Sequence, residues 1–373
     1  MKVALVHDYL NQYGGAERVL EAFIKIFPDA DIYTLFYSKK GIRERFHQNI
    51  TKTSFLDFEL ARRYHKPFIP LMPLAAHRIK IKGTYDLVIS DTAGYAKGVN
   101  IEHLGKKNNP FHISYCHTPL RYAWETDNYF SNSVFKTIFR PAFNYLKKWD
   151  FKAAQSPDIL IANSNFISSK IKEYYKRNSR VIYPPVDSEK FYFEPRLKQE
   201  NYYLAAGRLL HYKKFDLVAE AFCNLGLSLK IVGRGPEEKK IKSAIKDCKN
   251  IELVSFATDD ELRGLYNRAK AFILPQIEDF GLVAAEAQFC GSPVIAYSAG
   301  GALEIVQDGK TGIFFHRQEP DCLVSAVKDF EKMKFNRKKI SEVSKRFSFS
   351  YFKKEILELI FAEIYKTPNS EIK

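Results

Sequence analysis

Cysteine is scarce in this 373-residue chain: five residues, odd in number, scattered, with no Cys-x-x-Cys spacing among Cys116, Cys223, Cys248, Cys290 and Cys322. That pattern argues against a zinc cluster and a disulfide scaffold, and it predicts reduced thiols in a cytosol. Long apolar runs are also missing. No stretch approaches the 18 residues that would span a bilayer, and the first hydrophobic run already ends in His7 and Asp8, so neither a signal peptide nor a membrane-spanning helix is expected. No Gly-x-Gly-x-x-Gly follows the first strand, so a nicotinamide-type dinucleotide enzyme is disfavoured. No Asp-x-Asp stands out at a strand end. No helix-turn-helix, zinc-finger or RNP-type pattern accompanies the basic charge, which places nucleic acid low among partners.

What is present reads as two arrays of alternating strands and helices, and therefore as parallel, doubly wound sheets. The first array runs Val3–His7, Asp31–Phe36, Tyr85–Ser90, Phe111–His117, Asp158–Ala162 and Arg180–Tyr183. Its helices include Ala16–Ile26, a long one over Phe135–Ala154, and Ser164–Lys176. Pro184-Pro185 and the polar stretch Glu194–Asn201 mark a change of domain. The second array runs from Tyr202–Ala206 through Leu229–Val232, Ile251–Val254, Ala271–Pro275 and Pro293–Ala296 to Gly312–Phe315. An amphipathic helix over Tyr351–Tyr365 closes the chain. At this length, and with 46% hydrophobic residues, two cores are expected.

Chemistry concentrates where strands of the second array end. Gly207-Arg208 follows one strand and Lys213 opens the next helix, a fork and a point charge suited to a diphosphate. Gly233-Arg234-Gly235-Pro236 follows another strand, a weak signal by itself because the third glycine of a dinucleotide fingerprint is absent. Glu278-Asp279-Phe280-Gly281-Leu282-Val283-Ala284-Ala285-Glu286 follows a third. Its carboxylate spacing alone means nothing, since Glu355/Glu363 repeats it on the terminal helix. Here, however, Phe280, Gly281 and Leu282 offer amides at a helix N-terminus, an anion site. In the first array, Gly14-Gly15 lets backbone approach a ligand closely, or simply opens a helix. His117 ends a buried strand, with Arg121 and Trp124 just beyond it.

Taken together, these residues resemble the retaining glycosyltransferases of family 4. The resemblance rests on Gly207-Arg208 with Lys213, Gly233-Arg234-Gly235-Pro236, the Glu278/Glu286 pair, Gly291 to Gly301, and Asp308-Gly309-Lys310-Thr311-Gly312. In the first half it rests on Gly14-Gly15-Ala16-Glu17-Arg18 and on Tyr115 to Trp124. The N-terminal segments look most like bacterial polysaccharide and O-antigen mannosyltransferases. Family members often carry a glycine where Ala257 stands.

The resemblance implies a GT-B fold, two Rossmann-like doubly wound α/β domains facing a central cleft. The acceptor-side domain would be residues 1–188, the nucleotide-sugar domain 189–350, and helix 351–366 would pack back on the first. It implies a hexosyltransferase moving a sugar, best read as mannose from GDP-mannose, to a lipid-linked or glycan acceptor. A UDP-sugar donor is the alternative within the family. Site residues carried over are His117, Glu278, Arg208 and Lys213 for catalysis. Gly14, Gly15, Gly233, Phe280, Gly281, Leu282 and Glu286 would join Arg208 and Lys213 in holding the donor, and Arg121 and Trp124 would contact the acceptor. Glu286 would hold the ribose and Glu278 the donor sugar. That position sets the pair apart from the acid and nucleophile of a glycosidase. With cationic side chains in place of a metal, no divalent ion and no cofactor is expected.

The net charge of +15 is uneven. Between Lys39 and Lys82 eleven Lys and Arg face three acids, a surplus of eight, interleaved with Phe46, Phe55, Phe58, Tyr64 and Phe68. A basic, aromatic segment is attracted to anionic lipid. The expectation is a cytoplasmic protein peripheral on the inner face of the cell membrane, the alternative a solvated lysine-rich face. A non-catalytic basic nucleic-acid-binding protein is the reading from another class, and it leaves Arg208, Lys213, Glu278 and Glu286 without a purpose.

Overall fold

The computed structural model describes residues 1–42, 46, 49–82, 85–102, 109–126 and 137–364. The chain divides into two compact units, Met1–Tyr183 together with the segment from Lys353 on, and Pro184–Phe352. The break falls at the Tyr183-Pro184 step, where two prolines prevent either a helix or a strand from running through.

Unit 1 contains β1 (Val3–His7), β2 (Asp31–Thr34), β3 (Ile50–Thr53), β4 (Lys80–Ile81), β5 (Leu87–Thr92), β6 (Asn100–Ile101), β7 (Phe111–Cys116), β8 (Ile159–Ala162) and β9 (Arg180–Val181). Seven of these form one parallel sheet in the order β3-β2-β1-β5-β7-β8-β9, and β4 pairs with β6. Every residue of β1 and β5 is buried, as expected of central strands covered on both faces. The chain leaves β1 to one side for β2 and β3, then returns to the other side for β5, so the sheet reverses direction beside β1. Helix Gly15–Ile26 makes the first crossover and buries Val19, Leu20, Ala22 and Phe23.

Unit 2 repeats the plan with β10 (Tyr203–Ala206), β11 (Leu229–Val232), β12 (Ile251–Val254), β13 (Phe272–Leu274), β14 (Val294–Tyr297) and β15 (Gly312–Phe315). The order is β12-β11-β10-β13-β14-β15, all parallel, with the reversal between β10 and β13. Its core packs helices Phe215–Leu225 and Pro320–Phe330 against Tyr203, Ala205, Ile231, Ile273 and Ile295. The closing helix spans Phe349–Ile364, and from Lys353 on it belongs to unit 1. There burial pushes the Glu355 carboxyl up, while Arg180 opposes the shift.

Several sequence expectations are corrected. Cys223 and Cys248 form a disulfide, their Cα atoms 5.5 Å apart, because the end of helix Phe215–Leu225 meets the turn after helix Glu238–Ala244; Cys116 and Cys290 are free and buried. The thiols are therefore not uniformly reduced. Strand β5 starts two residues later than Tyr85 and runs to Thr92, so Asp91 lies inside the sheet. Edge strand β3 escapes sequence reading because Thr51 and Lys52 are exposed within it. Of the helix expected over Phe135–Ala154, the part Arg140–Ala153 is observed; residues 127–136 lie outside the described residues, as do 365–373 beyond the closing helix. Among the described residues no helix is long and apolar enough to cross a membrane.

Candidate functional site

Open parallel sheets bind ligands beyond the carboxyl ends of their strands, at the reversal of strand order, where adjacent loops diverge and leave a crevice. Unit 2 places its predicted residues there. Arg208 follows β10 and is exposed, and Lys213 closes the short helical turn His211–Lys213 ahead of helix Phe215–Leu225. Glu278 follows β13, on the other side of the reversal. Lys213 Nζ and Glu278 Oε1 form an ion pair across it, with side chains only 15% and 16% exposed. Gln276 Nε2 donates to the same oxygen at 2.7 Å. Gly233 sits behind these groups: its backbone is so close to the Gly207 carbonyl that a Cβ there would come within 1.9 Å of the oxygen. The Gly207 N–H donates to the Val232 carbonyl and that of Leu209 to Arg234, tying the β10 and β11 loops together.

Helix Leu282–Phe289 begins at Gly281, whose φ of +107° a residue with a Cβ adopts only with strain. Its first intrahelical bonds run from Ala284 and Ala285 to the Gly281 carbonyl, so the Leu282 and Val283 amides precede the ladder at the positive end of the helix. Phe280 is buried edge-on against Phe347. Glu286, one turn into the helix, is 1% exposed. Gly300 and Gly301 back this loop. The Gly301 N–H donates to the Glu278 carbonyl at 2.8 Å, and a Cβ on Gly300 would come within 2.5 Å of that oxygen.

Unit 1 gathers titratable groups at its own reversal. Asp8, just after β1, accepts from the amides of Ala93, Tyr95 and Ala96 and from Thr92 Oγ1, at 2.6–3.0 Å, and so holds the loop after β5. Asp91, fully buried in β5, bridges two imidazoles: His7 Nδ1 lies 2.8 Å from Oδ2 and His117 Nε2 lies 2.6 Å from Oδ1. His7 Nε2 faces Glu17 Oε1 at 3.8 Å, and Glu17 Oε2 accepts the Gly14 N–H at 2.8 Å. Gly14 and Gly15 thus open a helix whose first-turn carboxylate, Glu17, accepts the Gly14 N–H and also faces His7. Burial alone would lower the His7 pKa, but the hydrogen bonds and charges of Asp91 and Glu17 raise it to about 10. For Asp91 burial opposes ionisation, and the charge of His117 with bonds from both histidines holds the carboxyl below its usual range.

Arg121 and Trp124 lie on the short helix Arg121–Trp124. Trp124 turns inward: its Nε1–H donates to Asp150 at 2.7 Å and its ring stacks on Tyr174 at 4.7 Å. Asp150 also pairs with Lys97 at 2.6 Å and accepts from Tyr175, all in the interior. His7, Asp91, Glu17 and Gln276 were not singled out from the sequence; the chain does show His7 and Asp8 ending a buried strand, an unusual place for two ionisable groups.

Two family models match. Residues 13–190 match that described as Glycosyltransferase Family 4, and residues 187–347 match that described as Glycosyl transferases group 1. An uncharacterized glycosyltransferase of Methanocaldococcus jannaschii is 30% identical over 199 residues, covering 52% of this chain and 56% of that protein. The GDP-mannose-dependent alpha-(1-6)-phosphatidylinositol monomannoside mannosyltransferase of Mycobacterium tuberculosis is 28% identical over 198 residues, 46% of this chain and 51% of that one. The chain thus spans about half the length of these curated relatives. The crystal structure of HepE from Anabaena in complex with UDP superposes with a TM-score of 0.72 at 18% identity, covering 97% of this chain and 100% of that one. The chain has the GT-B type of fold, and its two halves match the two glycosyltransferase family models in succession.

The His7 cluster sets a pH dependence of stability. A folded pKa near 10 against an ordinary value of 6.5 means that the imidazolium contributes its full stabilisation below about pH 6.5 and loses it as pH rises through 10. Stability by urea denaturation should therefore fall between pH 7 and 10, and His7→Asn should flatten that slope. An unchanged slope in the variant would show that His7 is not a buried cation.

Proposed function

We propose that the chain is a retaining hexosyltransferase that takes a sugar from a nucleoside-diphosphate donor and passes it to a lipid-linked or glycan acceptor. The observation that carries this reading is the Lys213–Glu278 pair bridging the strand reversal of unit 2, flanked by Arg208 and a helix N-terminus. As the glycosidic bond to the diphosphate breaks, negative charge develops on the leaving phosphate. Arg208, Lys213 and the amides beside Gly281 are groups that stabilise such charge, the electrostatic contribution that usually dominates. Glu286 is assigned to the ribose hydroxyls and Glu278 to the donor sugar. Lys213 then exchanges part of its contact with Glu278 for phosphate, freeing carboxylate oxygen for sugar hydroxyls. Retention follows a front-face route in which the leaving phosphate helps to deprotonate the acceptor hydroxyl, with cationic side chains in the place of a metal.

Mannose from GDP-mannose is the preferred donor reading, supported by the GDP-mannose dependence of the mycobacterial relative; the UDP in the Anabaena structure keeps UDP-sugars as the alternative. Arg208→Ala and Lys213→Ala should each lower kcat/KM by about 10²-fold, roughly 3 kcal/mol of transition-state stabilisation, with folding intact. The assay measures nucleoside diphosphate released from the donor in excess EDTA. Undiminished turnover in both variants would remove the diphosphate assignment, and activity restored only by Mg²⁺ would remove the metal-free one.

Docking on an anionic membrane rests on the surface of unit 1. Phe55, Phe58, Leu60, Tyr64, Leu71 and Leu74 are exposed there, whereas Phe46 is buried and Phe68 packs edge-on against Phe58. Arg63 lies over Tyr64 and Arg78 over Phe55. Arg62 is paired with Asp57, and Lys80 and Lys82 with Glu102, so the effective surplus is smaller than the residue count. Each cation near an anionic surface contributes about 1 kcal/mol. Changing Arg63, Lys66 and Arg78 to Gln should weaken flotation with anionic liposomes by about 10²-fold, and changing Lys80 and Lys82 by much less. Equal binding to neutral and anionic vesicles would contradict the docking surface.

A further inference from the structure

The buried network of unit 1 joins two features that are far apart in sequence, the Gly14-Gly15 loop and His117. The order of contacts is Gly14 amide, Glu17, His7, Asp91, His117. Asp91 is completely buried, so its carboxylate finds its partners within the protein, and the two imidazoles take one oxygen each. An ionised carboxylate only accepts hydrogen bonds. The ring nitrogen of His117 that faces it, Nε2, must therefore carry the proton, which in a neutral imidazole leaves Nδ1 with its lone pair free to accept. Among the described residues Nδ1 has no hydrogen-bond partner, and the side chain keeps 12% of its surface open. The backbone of His117 is fixed as well. Its N–H donates to the Thr92 carbonyl at 2.8 Å, Asn163 Nδ2 donates to its carbonyl at 3.0 Å, and Tyr115 packs against its ring at 5.2 Å.

We infer that Asp91, backed by His7 and Glu17, is a positioning residue that fixes His117 as its Nε2–H tautomer and presents Nδ1 to a ligand hydroxyl at the carboxyl end of β7. Glu17 and His7 act through Asp91: a cation between two carboxylates keeps Asp91 ionised, and an ionised Asp91 leaves His117 one tautomer. The tautomer follows from the geometry of unit 1 alone. Naming the hydroxyl as one belonging to a sugar rests on the glycosyl-transfer reading above.

The test separates the two. Ring nitrogens of histidine in the ¹⁵N-labelled full-length protein, assigned with His117→Asn, should show His117 as the Nε2–H tautomer at pH 8. The Nδ1–H tautomer there would overturn the inference without touching the function. In turnover, Asp91→Asn presents both an N–H and a carbonyl, so it serves either tautomer, and kcat/KM should fall about 30-fold or more. His117→Ala should lose at least as much, and the double variant should be no worse than His117→Ala alone, because a residue acting through another has nothing left to act on. Losses that multiply would overturn the inference. A wild-type protein that turns over no nucleotide sugar, yet shows the Nε2–H tautomer, would sink the functional reading and leave this one standing.

Discussion

In both units the first strand lies inside its sheet rather than at an edge, and that placement governs the chemistry. The chain must build outward on one side of β1 or β10 and then return to build on the other, so the loops leaving the central strands diverge at their carboxyl ends. Side chains there face a crevice without breaking the hydrogen-bonded ladder below. The sheet thereby supplies rigidity at small cost to the site, and the two units use it differently.

Unit 1 invests in buried charge. His7, Asp91 and Glu17 are nearly solvent-free and pair with one another, and Lys97 with Asp150 forms a second buried ion pair in the same unit. Such groups are expensive to desolvate, and removing one partner strands the other. They do little as glue that an apolar cluster could not do; what they provide is fixed orientation, of His117 in one case and of the Trp124 segment in the other. Unit 2 instead keeps Arg208 exposed and Lys213 in a part-buried pair, where a mobile ammonium can trade one anionic partner for another.

Much of this was legible in the sequence, and the reasons differ by residue. Continuous apolar runs such as Val3–Val6 and Phe272–Leu274 declare buried parallel strands, and the glycines and cations that follow them declare strand ends; hence Arg208, Lys213, Glu278, Gly281 and Glu286 emerged with their correct positions on elements. Asp91 did not, because an acid after Ser90 reads as the end of a strand, and only the pairing of β5 with β1 and β7 keeps it inside. The His7–Asp91 contact joins residues 84 positions apart, which no local pattern records. The partners of Trp124 were equally hidden, since Asp150 and Tyr174 lie 26 and 50 positions away in the chain. The Cys223–Cys248 bridge was hidden by the same rule of scattered cysteines that usually excludes one.

The measurement that bears most directly on the account is ligand protection against thermal unfolding, with GDP-mannose, UDP-glucose and ADP-glucose compared on the wild type and on Arg208→Ala. A donor present at about 100 times its Kd stabilises the folded state by about 2.7 kcal/mol, a shift of several degrees for a unit of this size. The account predicts that at least one nucleoside-diphosphate sugar gives that shift, GDP-mannose before the others, and that Arg208→Ala abolishes most of it. No shift with any donor, alongside salt-sensitive binding of duplex DNA, would contradict it.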